Sequence, residues 1–144
     1  MKKEVAMSTS IRLPNTLVGT AFCVGLIALP AAAFASISVE IKSAESHAGY
    51  SAAATNMQEA TMHLQHALNC LVGPGGDGFN KTALNPCNNQ GNGLIPDATD
   101  AAQKATLEKL AAEARAGLAS NDLATVKKDA ADIESQLKAL KTPT

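Results

Sequence analysis

The chain has few aromatic side chains: among 144 residues there are three phenylalanines, one tyrosine and no tryptophan. A core built from large rings is therefore excluded, and the apolar content is mostly alanine, which buries little area per residue. We expect the fold to depend on helix propensity, on close packing between alanine-rich helices and on a covalent tie.

The chain also lacks an excess of charge of either sign. Twelve lysines and arginines stand against thirteen aspartates and glutamates, which gives a formal net charge of −1, and the charges alternate along the second half. Proteins that bind nucleic acid carry a basic patch or stripe, and none is present in this sequence. We therefore expect no nucleic-acid partner.

Motifs of nucleophilic catalysis are missing as well. The serines are scattered and no G-x-S-x-G segment occurs, so the sequence contains no nucleophile elbow. It has no C-x-x-C-H segment for covalent haem attachment either. We expect this protein not to be an enzyme.

The N-terminal segment has the order of a secretory signal. Lysine and arginine side chains precede the apolar run 17–35, which ends in the small-x-small pattern Ala-Phe-Ala. This pattern predicts a signal peptide at 1–35 that is cleaved before Ser36. The remaining domain, 36–144, would be periplasmic or secreted, with no membrane contact after cleavage. An uncleaved anchor is the alternative, since about 20 apolar residues can span a bilayer.

Three cysteines are present, and Cys23 falls within the predicted signal peptide. The remaining pair, Cys70 and Cys87, would meet an oxidising compartment, where a disulfide is the default state of two cysteines. A thiolate metal site is the rival interpretation, but the pair lacks the short C-x-x-C spacing of zinc sites. We predict a disulfide that ties the following loop to the first helix.

Hydrophobic side chains recur at three- and four-residue steps from about residue 39 to residue 72, which indicates one long helix. Gly49 is the single glycine in this stretch, and the helix is predicted to be kinked or frayed near it. Gly73 and Pro74 end the helix. The segment 73–96 contains six glycines and five asparagines and is predicted to be a loop.

Two shorter helices are predicted beyond the loop, at about 98–118 and 122–140, each with apolar residues along one face. Their short connection indicates antiparallel neighbours. The predicted fold is all-α: a three-helix up-down-up bundle in which the long first helix packs against a hairpin of the other two. The exposed length of the first helix would allow a homo-oligomer.

One face of the predicted first helix carries side chains that bind metals. Glu59, His63 and His66 share this face with Cys70, away from the apolar seam. Imidazoles at i and i+3, with a carboxylate four residues earlier, can converge on one divalent or copper ion. His47 would lie about four turns earlier on the same helix, too far away to share that ion. A solvated face without metal is the alternative.

Three features together resemble small periplasmic metal-binding helical-bundle proteins of bacteria: the export signal, the alanine-rich helix with histidines, and the pattern A-x-A-G-L-A-x-x-D-L-A-x-x-K in the region from Ala112 to Lys127. The resemblance implies a helical bundle and makes Glu59, His63 and His66 its candidate ligands. Those proteins are dense in histidine, whereas this chain has three. High-capacity metal storage is therefore not expected.

Two functions remain open at this point. The first is an exported bundle that binds a divalent or copper ion through His63, His66 and Glu59. The second is a non-metal periplasmic interaction or chaperone-like module that contacts a protein partner, or a second copy of the chain, through its helical surface or its loop.

Overall fold

The structure, a computed structural model, describes residues 31–141, with side chains from residue 37 onward. This part of the chain is helical and contains no strand, which confirms the all-α prediction. The five helices are α1 (Ala31–Ala53), α2 (Met57–Val72), α3 (Leu94–Asp97), α4 (Ala101–Ala119) and α5 (Leu123–Leu140).

Most of the predicted signal peptide, residues 1–30, lies outside the described residues, and so does Cys23. Helix α1 begins at Ala31 and runs through the predicted cleavage point before Ser36. Within the described residues, no helix combines the length and the apolar character needed to cross a membrane.

The four long helices form an antiparallel ring. Helix α1 packs against α2 and α5, and α4 packs against the same two helices. Side-chain contacts give the directions: the Ser51 hydroxyl donates to the carbonyl of Ala60 at 2.7 Å, and the Lys127 ammonium donates to the carbonyl of Ala54 at 2.7 Å. The architecture is an up-down-up-down four-helix bundle rather than the predicted three-helix bundle.

The difference arises because the predicted long first helix is divided into α1 and α2. Asn56 is the N-cap of α2, and its side chain accepts a hydrogen bond from the Glu59 amide at 2.9 Å. The Glu59 carboxylate accepts one from the Thr55 amide at 3.1 Å. These reciprocal bonds resemble a capping box, which satisfies the free amides at a helix start. The chain therefore reverses at this point, and the two halves bury their apolar faces against each other.

Gly49 lies inside α1, which continues as helix to Ala53, so the helix does not fray at this residue. Its missing side chain serves packing instead, because a Cβ there would lie 3.1 Å from Cδ of Glu134 on α5. A similar close approach joins α4 to α2, where a Cβ on Gly117 would lie 2.8 Å from Cδ2 of Leu64. Small residues thus let the helices approach closely.

The core is made of leucine and alanine, as the composition predicts. Every helix of the ring contributes side chains that are at most 2% exposed, among them Ala44, Ala48, Leu64, Leu68, Leu107, Leu110, Ala114, Ala130, Ile133 and Leu137. No aromatic side chain of the described residues is fully buried. Each side chain buries a modest area, so the core depends on many tightly packed contacts.

The predicted Cys70–Cys87 disulfide is confirmed, with an S–S distance of 2.06 Å. A second link lies beside it, because the buried Asn69 side chain forms hydrogen bonds with the loop through both the oxygen and the nitrogen of its amide group. Its Oδ1 accepts from the Asn80 amide at 2.9 Å, and its Nδ2 donates to the carbonyls of Asn80 and Leu84 at 3.0 and 3.1 Å. Helix α2 thus holds the loop through the disulfide and these three hydrogen bonds, and Gln65 adds a fourth by donating from Nε2 to the carbonyl of Gly78 at 3.0 Å.

The last part of the loop rests on a buried carboxyl group of α1. Glu40 is 0% exposed, and its Oε1 accepts a hydrogen bond from the Gly93 amide at 3.0 Å, while Oε2 is buried without a partner. Burial raises the pKa of Glu40 to about 7; the Gly93 hydrogen bond opposes this shift, and the negative charge of Asp97 adds to it. The neutral acid is the form that this environment favours.

Breaking the disulfide should lower the free energy of unfolding by about 3 kcal/mol, because the chain between Cys70 and Cys87 then gains conformational freedom in the unfolded state. The two cysteines are 17 residues apart in sequence. Urea unfolding with and without reductant measures the change. The double variant Cys70→Ala/Cys87→Ala is the control and should not respond to reductant. Two free thiols in the mass of the purified, non-reduced protein would contradict the bond.

Ionisation of Glu40 should make the protein less stable as pH rises. The native pKa of about 7 exceeds the ordinary glutamate value of 4.5, so the native state holds an extra proton between these values. The associated stability is present below pH 4.5 and is lost as pH rises through 7, by at most about 3 kcal/mol. Unfolding of wild type and Glu40→Gln across this range measures it. The difference between the two proteins isolates Glu40, and a difference independent of pH would contradict this role.

Candidate metal centre

The reversal between α1 and α2 brings all three histidines of the chain together. His47 lies on α1, and His63 and His66 lie on α2. One ligand atom from each residue falls in a group whose members are all within 4.8 Å of one another. The ring centroids are 5.1 to 5.6 Å apart. These three residues are called the histidine cluster below.

The cluster runs from the bundle interior to its surface. His66 is 7% exposed and forms the inner end, while His47 and His63 are half-buried. Tyr50 lies on the outer side, one turn after His47, with its ring edge-on to His47 at 5.6 Å and tilted against His63 at 5.3 Å. Tyr50 is 56% exposed, so this side of the cluster faces solvent.

The environment favours neutral imidazoles. Burial lowers the pKa of His47 to about 4, and repulsion from positive charge on His66 and His63 contributes to this shift. Burial also lowers the pKa of His66, with repulsion from His63 as the smaller cause. Neutral imidazole is the form that coordinates metal ions. At neutral pH these two rings are therefore ready to donate lone pairs.

The nitrogen positions fit a metal site. Nδ1 of His47 and Nδ1 of His63 are 3.2 Å apart, a distance at which one ring donates a hydrogen bond to the other. Two nitrogens bound tetrahedrally to one ion at about 2.0–2.1 Å would be separated by about 3.3 Å. The separation of these two nitrogens therefore matches that of two imidazole ligands on one ion. Nδ1 of His66 is buried and has no hydrogen-bond partner, which costs about 1–3 kcal/mol unless another group uses it.

The structure brings together two of the three residues that the sequence predicts as ligands. His63 and His66 belong to the cluster, whereas Glu59 lies outside the group of mutually close ligand atoms. The Glu59 carboxylate accepts hydrogen bonds from the Thr55 amide at 3.1 Å and from the Thr55 hydroxyl at 3.4 Å. It is therefore engaged at the start of α2.

His47 is the residue that sequence reasoning excluded. On one continuous helix His47 would lie about four turns from His63, but the helix is not continuous, because the chain reverses between them. The signal that would have found it is the segment Thr55-Asn56-Met57-Gln58-Glu59, which carries an N-cap residue followed by a glutamate three positions later.

A scan against protein-family models and searches of curated proteins and of solved structures gave no match to this chain.

His47 should remain neutral down to about pH 4 in the metal-free protein, because protonation would place a charge in a buried site beside two other imidazoles. Its native pKa lies below the ordinary histidine value of 6.5, so the resulting stability is present above pH 6.5 and is lost as pH falls towards 4. Proton NMR titration of the imidazole signals measures this value.

The matched comparison is the His63→Ala/His66→Ala variant, in which the pKa of His47 should rise towards its ordinary value because water enters and the repulsion disappears. A wild-type midpoint near 6.5 would contradict the packed arrangement of the rings.

Proposed function

We propose that this protein is an exported helical bundle that binds one divalent or copper ion through His47, His63 and His66. The observation that carries the proposal is the convergence of three imidazoles from two antiparallel helices, with one ligand atom from each within 4.8 Å of the others. The unpartnered, buried Nδ1 of His66 supports it, since a bound ion would supply the missing interaction.

The donor set favours particular metals. Imidazole nitrogens suit zinc, copper and nickel, whereas magnesium and calcium prefer oxygen ligands. The group of close ligand atoms contains three nitrogens and no carboxylate. Among divalent ions of the first transition row, affinity for such a site rises towards copper and falls again at zinc. Copper and zinc are therefore the first ions to test.

A bound ion would also stabilise the bundle. His47 belongs to α1, and His63 and His66 belong to α2, so one ion would join the two helices on either side of the chain reversal. A ligand that binds only the folded state raises its stability in proportion to the logarithm of ligand concentration over Kd. The ion and the capping bonds would thus hold the same hairpin at two places.

Export rests on the sequence of residues 1–35 and is supported by the disulfide. An intramolecular disulfide is typical of proteins in the periplasm or outside the cell. In such a compartment the two cysteines are oxidised and do not compete with the histidines for the ion. We propose a periplasmic or secreted location on this basis.

The alternative function, a non-metal interaction or chaperone-like module, has one feature in its favour. Met62 is 45% exposed and Leu84 is 60% exposed, and both line a groove between α2, the loop and Leu118 of α4. Exposed apolar side chains that line a groove are common at protein–protein contacts. Concentration-dependent sedimentation and crosslinking test this alternative, and a strictly monomeric protein without a crosslinked partner would count against it.

Calorimetric titration with Zn²⁺, Cu²⁺ and Ni²⁺ tests the metal proposal. We expect saturable binding of one ion, and we expect His47→Ala, His63→Ala and His66→Ala each to weaken it by about tenfold or more, because each removes one ligand. Absence of saturable uptake by the wild type would refute the proposal.

Two control variants lie on the same helix. Gln58→Ala changes an exposed residue of α2 and should leave the affinity unchanged. Glu59→Gln keeps the shape of the capping side chain and removes its charge, so it should also leave the affinity unchanged if Glu59 only caps the helix. A loss as large as that of His63→Ala would instead restore Glu59 as a ligand.

A further inference from the structure

We propose that the ion bound by the histidine cluster keeps one coordination position open to solvent, and that this position takes a small monodentate anion. The inference rests on the proposed function and extends it, because it assigns a second ligand to the loaded site. Three observations carry it: the number of donors, the exposure of one side of the cluster, and the charge of the donor set.

The number of donors leaves the coordination sphere incomplete. In the part of the chain that the structure describes, the only group of close metal-binding side chains consists of His47, His63 and His66. Structural zinc sites have four protein ligands, whereas sites that exchange a ligand have three and leave the fourth position to water or another small molecule. A tetrahedral ion in this cluster would be of the second kind.

Glu59 and Cys70, which lie on the same face of α2 as His63 and His66, are engaged elsewhere. The Glu59 carboxylate accepts from the Thr55 amide and hydroxyl. Cys70 is joined to Cys87, so its sulfur has no thiolate to donate.

The exposure of the cluster places the open position on its outer side. His66 is 7% exposed and occupies the inner end, whereas His47 and His63 are half-buried and contact the ring of Tyr50. Tyr50 is 56% exposed and is the outermost ring of the group. This side of the cluster is therefore the more open to a small anion, whereas His66 meets solvent only where it borders the groove lined by Met62 and Leu84.

The charge of the donor set makes an anion the favoured occupant. Three neutral imidazoles do not reduce the formal charge of a divalent ion, and the group contains no carboxylate or thiolate. The ion would therefore retain its full charge in a half-buried site, where electrostatic attraction is stronger than in water. A monodentate anion fits this position, since only one coordination site is free.

Cobalt(II) is the probe, because its d–d absorption bands report coordination number and ligand exchange at sites that bind zinc. The purified protein is loaded with Co²⁺ and titrated with sodium azide, with sodium perchlorate at equal ionic strength as the control. We expect a saturable and reversible shift of the d–d bands with azide and no shift with perchlorate. The His63→Ala variant should lose both the bands and the response.

The outcomes separate the two proposals. If Co²⁺ gives no protein-bound d–d bands and calorimetry shows no saturable uptake of Zn²⁺ or Cu²⁺, the proposed metal function fails. If the bands form but azide leaves them unchanged, the metal function stands and the open position is overturned.

Two further measurements show what closes the site in that case. A response that appears only in Tyr50→Phe would identify the phenol oxygen as the fourth ligand. Dimerisation on loading, measured by sedimentation, would identify a ligand from a second copy of the chain. Either result overturns the open position, whereas an azide response in a monomer, retained in Tyr50→Phe, supports it.

Discussion

The turn between α1 and α2 determines the rest of this structure. The Asn56 side chain accepts a hydrogen bond from the Glu59 amide in the first turn of α2, and the Glu59 carboxylate accepts one from the amide of Thr55, just before the helix. Without this reversal the alanine-rich segment would continue as one helix, with half of its apolar face unpartnered. With it, α1 and α2 form a hairpin that completes a ring with α4 and α5. A few hydrogen bonds at a helix start, each worth about 1 kcal/mol, thus select between two architectures.

The bundle compensates for its small side chains with close approach and with polar ties at the ends of its helices. Alanines and Gly117 let the helices come near each other, and the buried Asn69 and the disulfide hold the loop against α2. Glu40 holds the end of the same loop from α1 through the Gly93 amide. The loop is therefore fixed from two helices, which explains how a segment rich in glycine and asparagine is ordered in a small domain.

Much of this fold could be predicted from local sequence. The apolar periodicity located the two C-terminal helices, now α4 and α5, the cysteine count gave the disulfide, and Gly73 with Pro74 marked the end of α2. The reversal could not be predicted by periodicity, because the apolar repeat continues through residues 54–56 without a break. Helix propensity and capping compete there, and tertiary burial of both helix faces decides the outcome.

The candidate site shows the same limit. His63 and His66 are three residues apart, so helical geometry alone placed them on one face, whereas His47 joins them only through the tertiary fold. Glu59 was assigned to the ion because its spacing matched, yet the same spacing relative to Asn56 is that of a capping residue. A glutamate near the start of a helix fits both the spacing of a metal ligand and the spacing of a capping residue. Spacing alone does not distinguish these two roles.

The buried carboxyl group of Glu40 and the buried imidazoles have opposite effects on acid sensitivity. As acid is added between about pH 6.5 and 4.5, Glu40 takes up its proton more readily in the native state than in the unfolded chain, while His47 and His66 resist protonation in the native state. One effect strengthens the fold as the other weakens it, so the response of the metal-free bundle to mild acid is the difference between the two. A metal ion on the histidines would end this opposition, because protons would then compete with the ion for the imidazole nitrogens. Acid would therefore destabilise the metal-bound protein by displacing its ion.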